Sequence, residues 1–561
     1  MAYNSNIFKN KKRDLTPAYT KNVTPKKFDR PKAERFTPPG GWNDEFQAVF
    51  DFVVNGEGNG AIEAVAGGGK TTALVEAIIR YCENNPGKRV AFVAYNVSIK
   101  EEGAKRLAGY PVDVVTCHGL GFRAVKSPQN WGSLDTKVSF DVEGDKDDYM
   151  VKLAMQEIGF EKEKWADREA LLNLVSKAKT CLASTQEQLI ALINRFGIES
   201  EYSDKSLAKK AQNILRFTQH NAGGSIPRKG KVRFQKKIIT FDDQVWLPVV
   251  NKWSVDKYDA IFVDEAQDLS PARRELIKMS MKETTRLFVV GDRFQAIYGF
   301  AGADIDSLPS LIEEFNCKML PLSCTWRCGN NIVKEAQRFN PNIVAANNAH
   351  DGVVDTCKHK DLEKLLKKGD ALISRKNAPL VRMFFRLAQK QIRVEFIGKD
   401  YGRMLAHRIK GWQQRHERID DLGRFNCHNM LEQNDRWLEA LESPNSRQID
   451  EHATIKALTD GLINNMDTSA SVSEVLDRCS MFSPEEKKDD EKSNCITLSS
   501  THRFKGLERD HVYMLTDTYM AKTKNKSPSL EDLQEEENLF YVAVTRAKKH
   551  LTYVQKAEKT A

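Results

Sequence analysis

The turn Ala64-Val-Ala-Gly-Gly-Gly-Lys-Thr-Thr72 restricts what this chain can fold into more than any other stretch of it. A strand-length apolar run, Ala61–Ala66, leads into the turn, and a helical pattern over Thr72–Tyr81 leads out. Glycine-rich backbone between a strand and a helix N-terminus aims several N–H groups and the positive end of the helix dipole at one point, which suits a phosphate. In this reading Ala66, Gly67, Gly68, Gly69, Lys70, Thr71 and Thr72 form the cradle. Lys70 faces the β- and γ-phosphates of a nucleotide, and the Thr71 hydroxyl holds Mg²⁺. Position 64, where the pattern asks for glycine, is alanine.

The rest of the chain supplies the alternation that such a turn requires. Short apolar runs at Val90–Ala94, Val112–Thr116, Ala260–Val263 and Leu287–Val290 predict a parallel sheet with helices on its faces. A second set, Ala371–Ser374, Val394–Ile397, Ile496–Ser499, Val512–Leu515 and Leu551–Val554, predicts a second α/β unit. Two stretches break the pattern. Residues 125–235 turn helical, with Ser184 and Glu187 as a capping box ahead of Leu189, Leu192, Ile193 and Phe196 at helical spacing. Residues 401–489 are polar and mostly helical, with weak core signals. The expected organisation is a tail, 1–40; a first sheet unit, 41–124 and 236–306, with its helical insertion, 125–235; and a second sheet unit, 307–400 and 490–557, with a smaller insertion, 401–489.

Asp264-Glu-Ala-Gln-Asp268 ends the apolar run Ile261–Val263, which puts carboxylates at the carboxyl edge of the first sheet, beside the glycine-rich turn. Asp264 would hold Mg²⁺, and Glu265 would orient and deprotonate a water for in-line attack on a γ-phosphate. With the phosphate turn upstream, a plain acidic surface turn is the weaker reading.

Composition narrows the setting. No apolar run approaches the ~18–20 residues of a membrane span, and the first residues lack the apolar centre of a secretory signal, so a cytoplasmic protein is expected. Of the net charge of +9, residues 1–40 carry +7, from ten Lys/Arg against three Asp/Glu. That tail reads as disordered, either an electrostatic arm for a phosphate backbone or an acidic partner protein, or a solvated extension. The ten cysteines show no disulfide framework, and the spacing of Cys317, Cys324, Cys328 and Cys357 matches no common metal site. The pairs His407/His416 and Cys427/His428 read as ordinary surface or core residues.

Around the two sites, more motifs follow in order: Trp42-Asn-Asp-Glu-Phe-Gln47, Ala94-Tyr-Asn96, Thr116-Cys-His118 and Thr240-Phe-Asp-Asp243. Then come Val290-Gly-Asp-Arg-Phe-Gln-Ala-Ile-Tyr-Gly-Phe300, Leu322-Ser-Cys-Thr-Trp-Arg327, Ser500-Thr-His-Arg-Phe-Lys-Gly-Leu-Glu508 and Tyr541-Val-Ala-Val-Thr-Arg-Ala547. The set resembles superfamily 1 helicases of the UvrD/Rep/PcrA group, from about Gln47 to Val554. The resemblance implies two RecA-like parallel-sheet motor domains with mostly helical insertions, and ATP with Mg²⁺ between them. It implies that Gln47 recognises adenine, Trp326 stacks on it and Glu508 holds the ribose. Gln295 and Arg327 would reach the γ-phosphate, and Arg546 would be the arginine finger. Tyr95, Tyr298 and Phe300 would stack on bases of a single strand, with Asn96, Thr116, His118, Thr501 and His502 beside its backbone. The basic stretch Arg228-Lys-Gly-Lys-Val-Arg-Phe-Gln-Lys-Lys237 is a further candidate contact or a solvated loop.

The implied activity is that of a monomeric ATP-dependent DNA helicase, translocating 3′ to 5′ on single-stranded DNA and unwinding duplex DNA. The alternative is a single-strand-stimulated translocase that displaces proteins or serves a larger complex, with little unwinding of its own. A silent binding module would have no need of Lys70, Glu265, Gln295, Arg327 and Arg546 together. Departures from the group's pattern are Phe300-Ala-Gly-Ala303, which lacks an arginine, and Thr-Trp-Arg327 in place of Asn-Tyr-Arg. The insertion at 401–489 also falls short of the group's large regulatory one, which puts the strength of unwinding in question.

Overall fold

The computed structural model describes residues 32–33, 35–38, 41–131, 140–142, 165–220, 237–299, 302, 306–419, 425–441, 444, 446–460, 462, 471–482, 494–519 and 529–555. Along the chain the strands are β1 (Gly60–Ala64), β2 (Val90–Ala94), β3 (Val112–Thr116), β4 (Phe140–Val142), β5 (Lys237–Ile239), β6 (Tyr258–Val263), β7 (Met281–Gly291) and β8 (Lys318–Leu322). They continue as β9 (Cys324–Thr325), β10 (Val344–Ala345), β11 (Val353–Lys358), β12 (Ala371–Ser374), β13 (Val394–Ile397), β14 (Ile496–Ser500), β15 (Arg509–Leu515) and β16 (Ala547–Gln555). One six-stranded sheet has the order β3-β2-β6-β7-β1-β8, and a second has the order β11-β16-β15-β12-β14-β13. Every pairing in both is parallel. The α/β class with two parallel sheets is therefore the observed one.

Parallel strands are covered on both faces, so the central ones are apolar throughout. One face of the first sheet buries Ile62, Phe92, Phe262 and Phe288 under the helices Asp44–Asn55 and Lys70–Asn84; the other buries Ala61, Val93, Val263 and Val289. The expected runs coincide with β2, β3, β12 and β13. Two strands of these six-stranded sheets were not expected. β8 and β11 are outer strands, half wet, and β8 carries Pro321, which has no N–H to give a ladder and is tolerated at an edge.

β8 corrects the expected boundary. It pairs with β1, so the first sheet unit runs past 306 to Leu322, and the crossover to the second sheet follows it. The capping box also lies one residue later than expected: Thr185 and Gln188, not Ser184 and Glu187, cap the helix Gln186–Phe196, which buries Leu189, Leu192 and Ile193. The tail expected to be disordered through residue 40 is tied down at its end, where Arg35 forks onto the buried Glu76 and Ala33 N–H donates to Ala108 O at 3.0 Å.

The two insertions differ in how they join the sheets. Helices Trp165–Cys181, Gln186–Phe196 and Asp204–His220 bury a core around Leu171, Leu189 and Leu207, apart from the sheet's two faces and closed by Trp246 of the helix Asp243–Val250. Helices Lys399–Ile419, Cys427–Glu439, Ser446–Thr459 and Val472–Ser480 instead share one core with the second sheet, in which Leu405, Met430, Ile455 and Val475 pack with Leu372, Phe396 and Leu498.

Candidate nucleotide site and single-strand cavity

The carboxyl ends of the parallel strands all deliver motif residues to one side, the position at which open α/β sheets bind ligands. After β1, Gly67 and Gly69 take φ of 73° and 79°, the left-handed region that glycine enters without cost. At Gly67 a Cβ would also come within 2.6 Å of Thr325 Oγ1 and 2.7 Å of Arg327 Cβ, so the turn needs glycine there for close packing as well. Gly69 caps the helix Lys70–Asn84, whose first turn carries Lys70 and Thr71. After β6, Glu265 holds φ 49°, a conformation costing a side-chain-bearing residue ~1–3 kcal/mol and found mainly at functional sites.

These residues form one hydrogen-bonded path. Lys70 Nζ lies 3.0 Å from Glu265 Oε2, and Thr71 Oγ1 lies 3.4 Å from Asp264 Oδ2. Gln267 donates its amide to Glu265 and accepts from Asp292 N–H at 3.1 Å. Gln295 donates to Asp292 at 2.7 Å and accepts from Arg546 Nη2 at 3.4 Å. Tyr541 closes the ring, accepting from Ala66 N–H at 3.1 Å and donating to Asp292 at 3.4 Å. Arg546, only 1% exposed, and Tyr541 come from the second sheet unit, so the path crosses between the two units.

Electrostatics follow from this packing. Burial alone would discharge Lys70, but Glu265, Asp292 and Asp264 hold its ammonium above the ordinary lysine range. Burial works against Glu265, yet Lys70 and Lys505 keep it ionised, well below the usual carboxylate range. Asp264 is pushed up by burial and by Glu265 beside it. A buried carboxylate so raised, next to a hydroxyl on a phosphate turn, is the donor set that a divalent cation stabilises, and the Thr71–Asp264 pair fits Mg²⁺. Arg546 is lowered, first by burial and then by Arg327.

Gln47 is half-buried on the helix Asp44–Asn55. Trp326, 53% exposed, is held beside the turn by its backbone N–H, which donates to Gly67 O at 3.0 Å. Arg327 follows the crossover from β8 and donates to Glu508 at 2.6 Å and to Thr545 O at 3.1 Å, both residues of the second unit. Its neighbours Cys328 and Ile332 already pack in the second unit's core.

A cavity of about 310 Å³ opens on the same side of the first sheet. Tyr95, His118 and Tyr298 line it, with Lys177, Arg273 and Arg447. The rings of Tyr95 and Tyr298 are nearly parallel, 15° apart with centroids 6.1 Å apart. Lys505 joins the cavity to the nucleotide path: its ammonium contacts Asp268 at 2.6 Å and Gln295 O at 2.7 Å, and lies 4.8 Å from the Tyr298 ring.

Some expected contacts need correction. Thr501 is fully buried, with its hydroxyl held by Ser374 O and Tyr519, so no hydroxyl remains for a backbone phosphate. Asn96 and Thr116 need no correction: their side-chain oxygens cap helices, accepting from Ile99 N–H and Gly119 N–H, and a phosphate would take the amide N–H of the one and the hydroxyl proton of the other. His118 is lowered to about 3, by burial first and Arg273 second, and His502 likewise by burial, so both are neutral hydrogen-bonding groups rather than cations. Phe300 and residues 228–236 of the basic stretch lie outside the described residues. Sequence reasoning assigned no role to Phe241, which is 59% exposed and set against His118 at 4.0 Å between ring centres, nor to Asp292, Lys505 or Tyr541. All four sit inside motifs quoted above, and an exposed aromatic in Thr240-Phe-Asp-Asp243 was the available signal.

Residues 43–316 match the family model of the UvrD/REP helicase N-terminal domain, and residues 306–558 that of the UvrD-like helicase C-terminal domain. Relatives include F-box DNA helicase protein 1 of Schizosaccharomyces pombe, 25% identical over 87% of this chain and 55% of that protein. F-box DNA helicase 1 of Gallus gallus is 24% identical over 89% of this chain and 47% of its own length. ATP-dependent DNA helicase Rep of Escherichia coli is 26% identical over 52% of this chain and 41% of its own. The chain thus spans about half the length of these relatives. The two domain models stand in tandem, overlapping at 306–316 just ahead of β8, and the chain belongs to the UvrD/Rep family of helicases.

Proposed function

We propose that this protein is an ATP-dependent DNA helicase that translocates 3′ to 5′ on single-stranded DNA and separates duplexes ahead of it. The observation that carries the reading is the hydrogen-bonded path from Lys70 through Glu265, Asp292 and Gln295 to Arg546, with Lys505 linking it to the Tyr298 ring. A γ-phosphate entering the turn competes for Lys70. As Lys70 swings to it, Glu265 loses its closest cation and becomes a better acceptor for the proton of an attacking water. Arg546 and Arg327, brought by the second unit and the crossover, meet the charge that develops on the transferred group. Mg²⁺ held by Thr71 and Asp264 would supply charge neutralisation at the β- and γ-oxygens. Gln47, Trp326 and Glu508 hold the base and ribose.

Since the γ-phosphate contacts both units, its loss weakens the closed arrangement, and the cleft opens. Lys505, on Asp268 and beside Tyr298, passes that motion to the single strand stacked on Tyr95, Tyr298 and Phe241. Stacking of this kind ignores base identity, as a translocase requires.

A second reading, a translocase with little unwinding, is favoured by one observation. The second insertion shares the second sheet's core and so has no independent body to reorient. Steady-state ATP hydrolysis with and without single-stranded DNA, beside unwinding of duplexes with 3′ or 5′ overhangs, tests both. DNA-stimulated hydrolysis with unwinding from the 3′ overhang alone is expected. Stimulation without unwinding selects the second reading, and hydrolysis indifferent to DNA overturns both.

A further inference from the structure

Tyr541 is fully buried, and its hydroxyl stands where the two sheet units meet. Ala66 N–H of the phosphate turn donates to it at 3.1 Å, and the Asn340 amide, from beyond the crossover, donates to it at 3.4 Å. A phenol carries two lone pairs and one proton, so two donors leave it one direction in which to give that proton. The Asp292 carboxylate lies there, at 3.4 Å. Asn340 is itself buried and belongs to none of the motifs, and its oxygen is held by Asn342 N–H at 3.1 Å. The fold therefore fixes which way the Tyr541 hydroxyl points.

The same polarity continues through Asp292. Its Oδ1 receives Phe294 N–H at 3.1 Å, and its Oδ2 receives the Gln295 amide at 2.7 Å. With its NH2 end on a carboxylate, Gln295 turns its oxygen to Arg546, which can only donate and does so at 3.4 Å. Tyr541 lies in the last turn of the helix Leu530–Val544, and Arg546 follows just beyond that helix. A movement that carries Arg546 towards a γ-phosphate thus carries Tyr541 towards Asp292.

We propose that Tyr541 is a positioning residue for ATP hydrolysis. Its hydroxyl orients Gln295 through Asp292 and ties that arrangement to the phosphate turn at Ala66, so Gln295 is set only when the second unit is docked. This inference rests on the reading of the site as one that hydrolyses ATP. Tyr541 acts through Asp292 and Gln295, so its contribution disappears once Gln295 is gone.

The test is steady-state ATP hydrolysis by the full chain with Mg²⁺ and saturating oligothymidylate, for the parent, Tyr541→Phe, Gln295→Ala, the two changes combined, and Lys70→Ala. Tyr541→Phe keeps the buried ring and removes only the hydroxyl. Its kcat is expected to fall about tenfold, the size of one lost hydrogen bond that leaves a buried partner unmatched, with KM for ATP within about twofold of the parent. In the Gln295→Ala background the same change is expected to cost nothing further in kcat. A merely structural hydroxyl would give another pattern: a loosened phosphate turn raises KM, and the two losses multiply. Either result, or an unchanged kcat in Tyr541→Phe, would overturn the inference. Should Tyr541→Phe not fold, Asp292→Asn, close to the parent in shape, repeats the cycle. It is expected to match Gln295→Ala and to add nothing to it, and multiplying losses would again overturn the inference. Lys70→Ala turning over ATP at the parental rate would instead overturn the reading of the nucleotide site itself.

Discussion

The candidate nucleotide site and the cavity proposed for the single strand lie on the same edge of the first sheet, yet they are built differently. In the nucleotide site nearly every polar group is matched: Lys70 to Glu265, Gln267 to Glu265 and Asp292, Gln295 to Asp292 and Arg546. The cavity has near-parallel but separated rings, with charges of both signs from several segments around one space. Chemistry on a phosphate needs groups held in place before the reaction, since reorganisation at that moment raises the barrier. A track must release and rebind its ligand at every step, so loosely held, sequence-indifferent contacts suit it. The difference fits a preorganised first site and, under the proposed function, a sliding second one, with Lys505 among the side chains that join them.

The largest effect expected from breaking this contrast is at Arg546. Its replacement by Ala removes the charge that the second unit brings across the cleft, and kcat for ATP is expected to fall by ~10³–10⁵ with single-strand affinity little changed. Steady-state hydrolysis beside oligonucleotide binding reads both; a fall of less than tenfold would deny Arg546 the finger role. Next comes Lys179→Met, which strands Asp243 in a pair where both side chains are 2% exposed. Breaking a buried pair from one side costs ~3–5 kcal/mol, so thermal unfolding should show a clear loss of stability, confined to this wall of the cavity.

Smaller again are the rings. Tyr298→Ala and Phe241→Ala should each weaken single-strand binding by ~1–3 kcal/mol while hydrolysis without DNA changes far less. If Phe241→Ala left binding intact, its exposure beside His118 would be only a surface accident. The smallest effect belongs far from both sites, at Arg35→Ala. Arg80 keeps Glu76 paired at 2.7 Å and Arg35 is partly exposed, so denaturant unfolding should report a change under ~1 kcal/mol. A much larger loss would make the N-terminal segment a part of the first unit's core.

Legibility differed between the two sites for a physical reason. The nucleotide site depends on short local motifs at the ends of apolar strands, so Lys70, Thr71, Asp264, Glu265 and Gln295 could be named from spacing and resemblance. Their pairing through Gln267, Asp292 and Tyr541 could not, because those partners are separated by up to 475 residues, as Ala66 and Tyr541 are. Among the expected strand contacts, Thr501 carries the right motif context but turns its hydroxyl inward, onto Ser374 O and Tyr519. Lys177, Arg273 and Arg447 reach the cavity from three distant segments with no shared pattern.

The sequence by itself determined two parallel sheets, the strands at β2, β3, β12 and β13, and the residues of the phosphate turn, because short apolar strand runs and phosphate-binding turns both demand particular residue types at fixed local spacing. Tertiary structure alone decided where the first unit ends, since an edge strand such as β8 is half wet and carries Pro321 without penalty. It alone decided that the second insertion merges with its sheet, because a shared core depends on which apolar faces meet and not on the period within either. And it alone brought Arg447 over the cavity, where charges from segments far apart in the chain act on one another only once the fold has placed them within a Debye length.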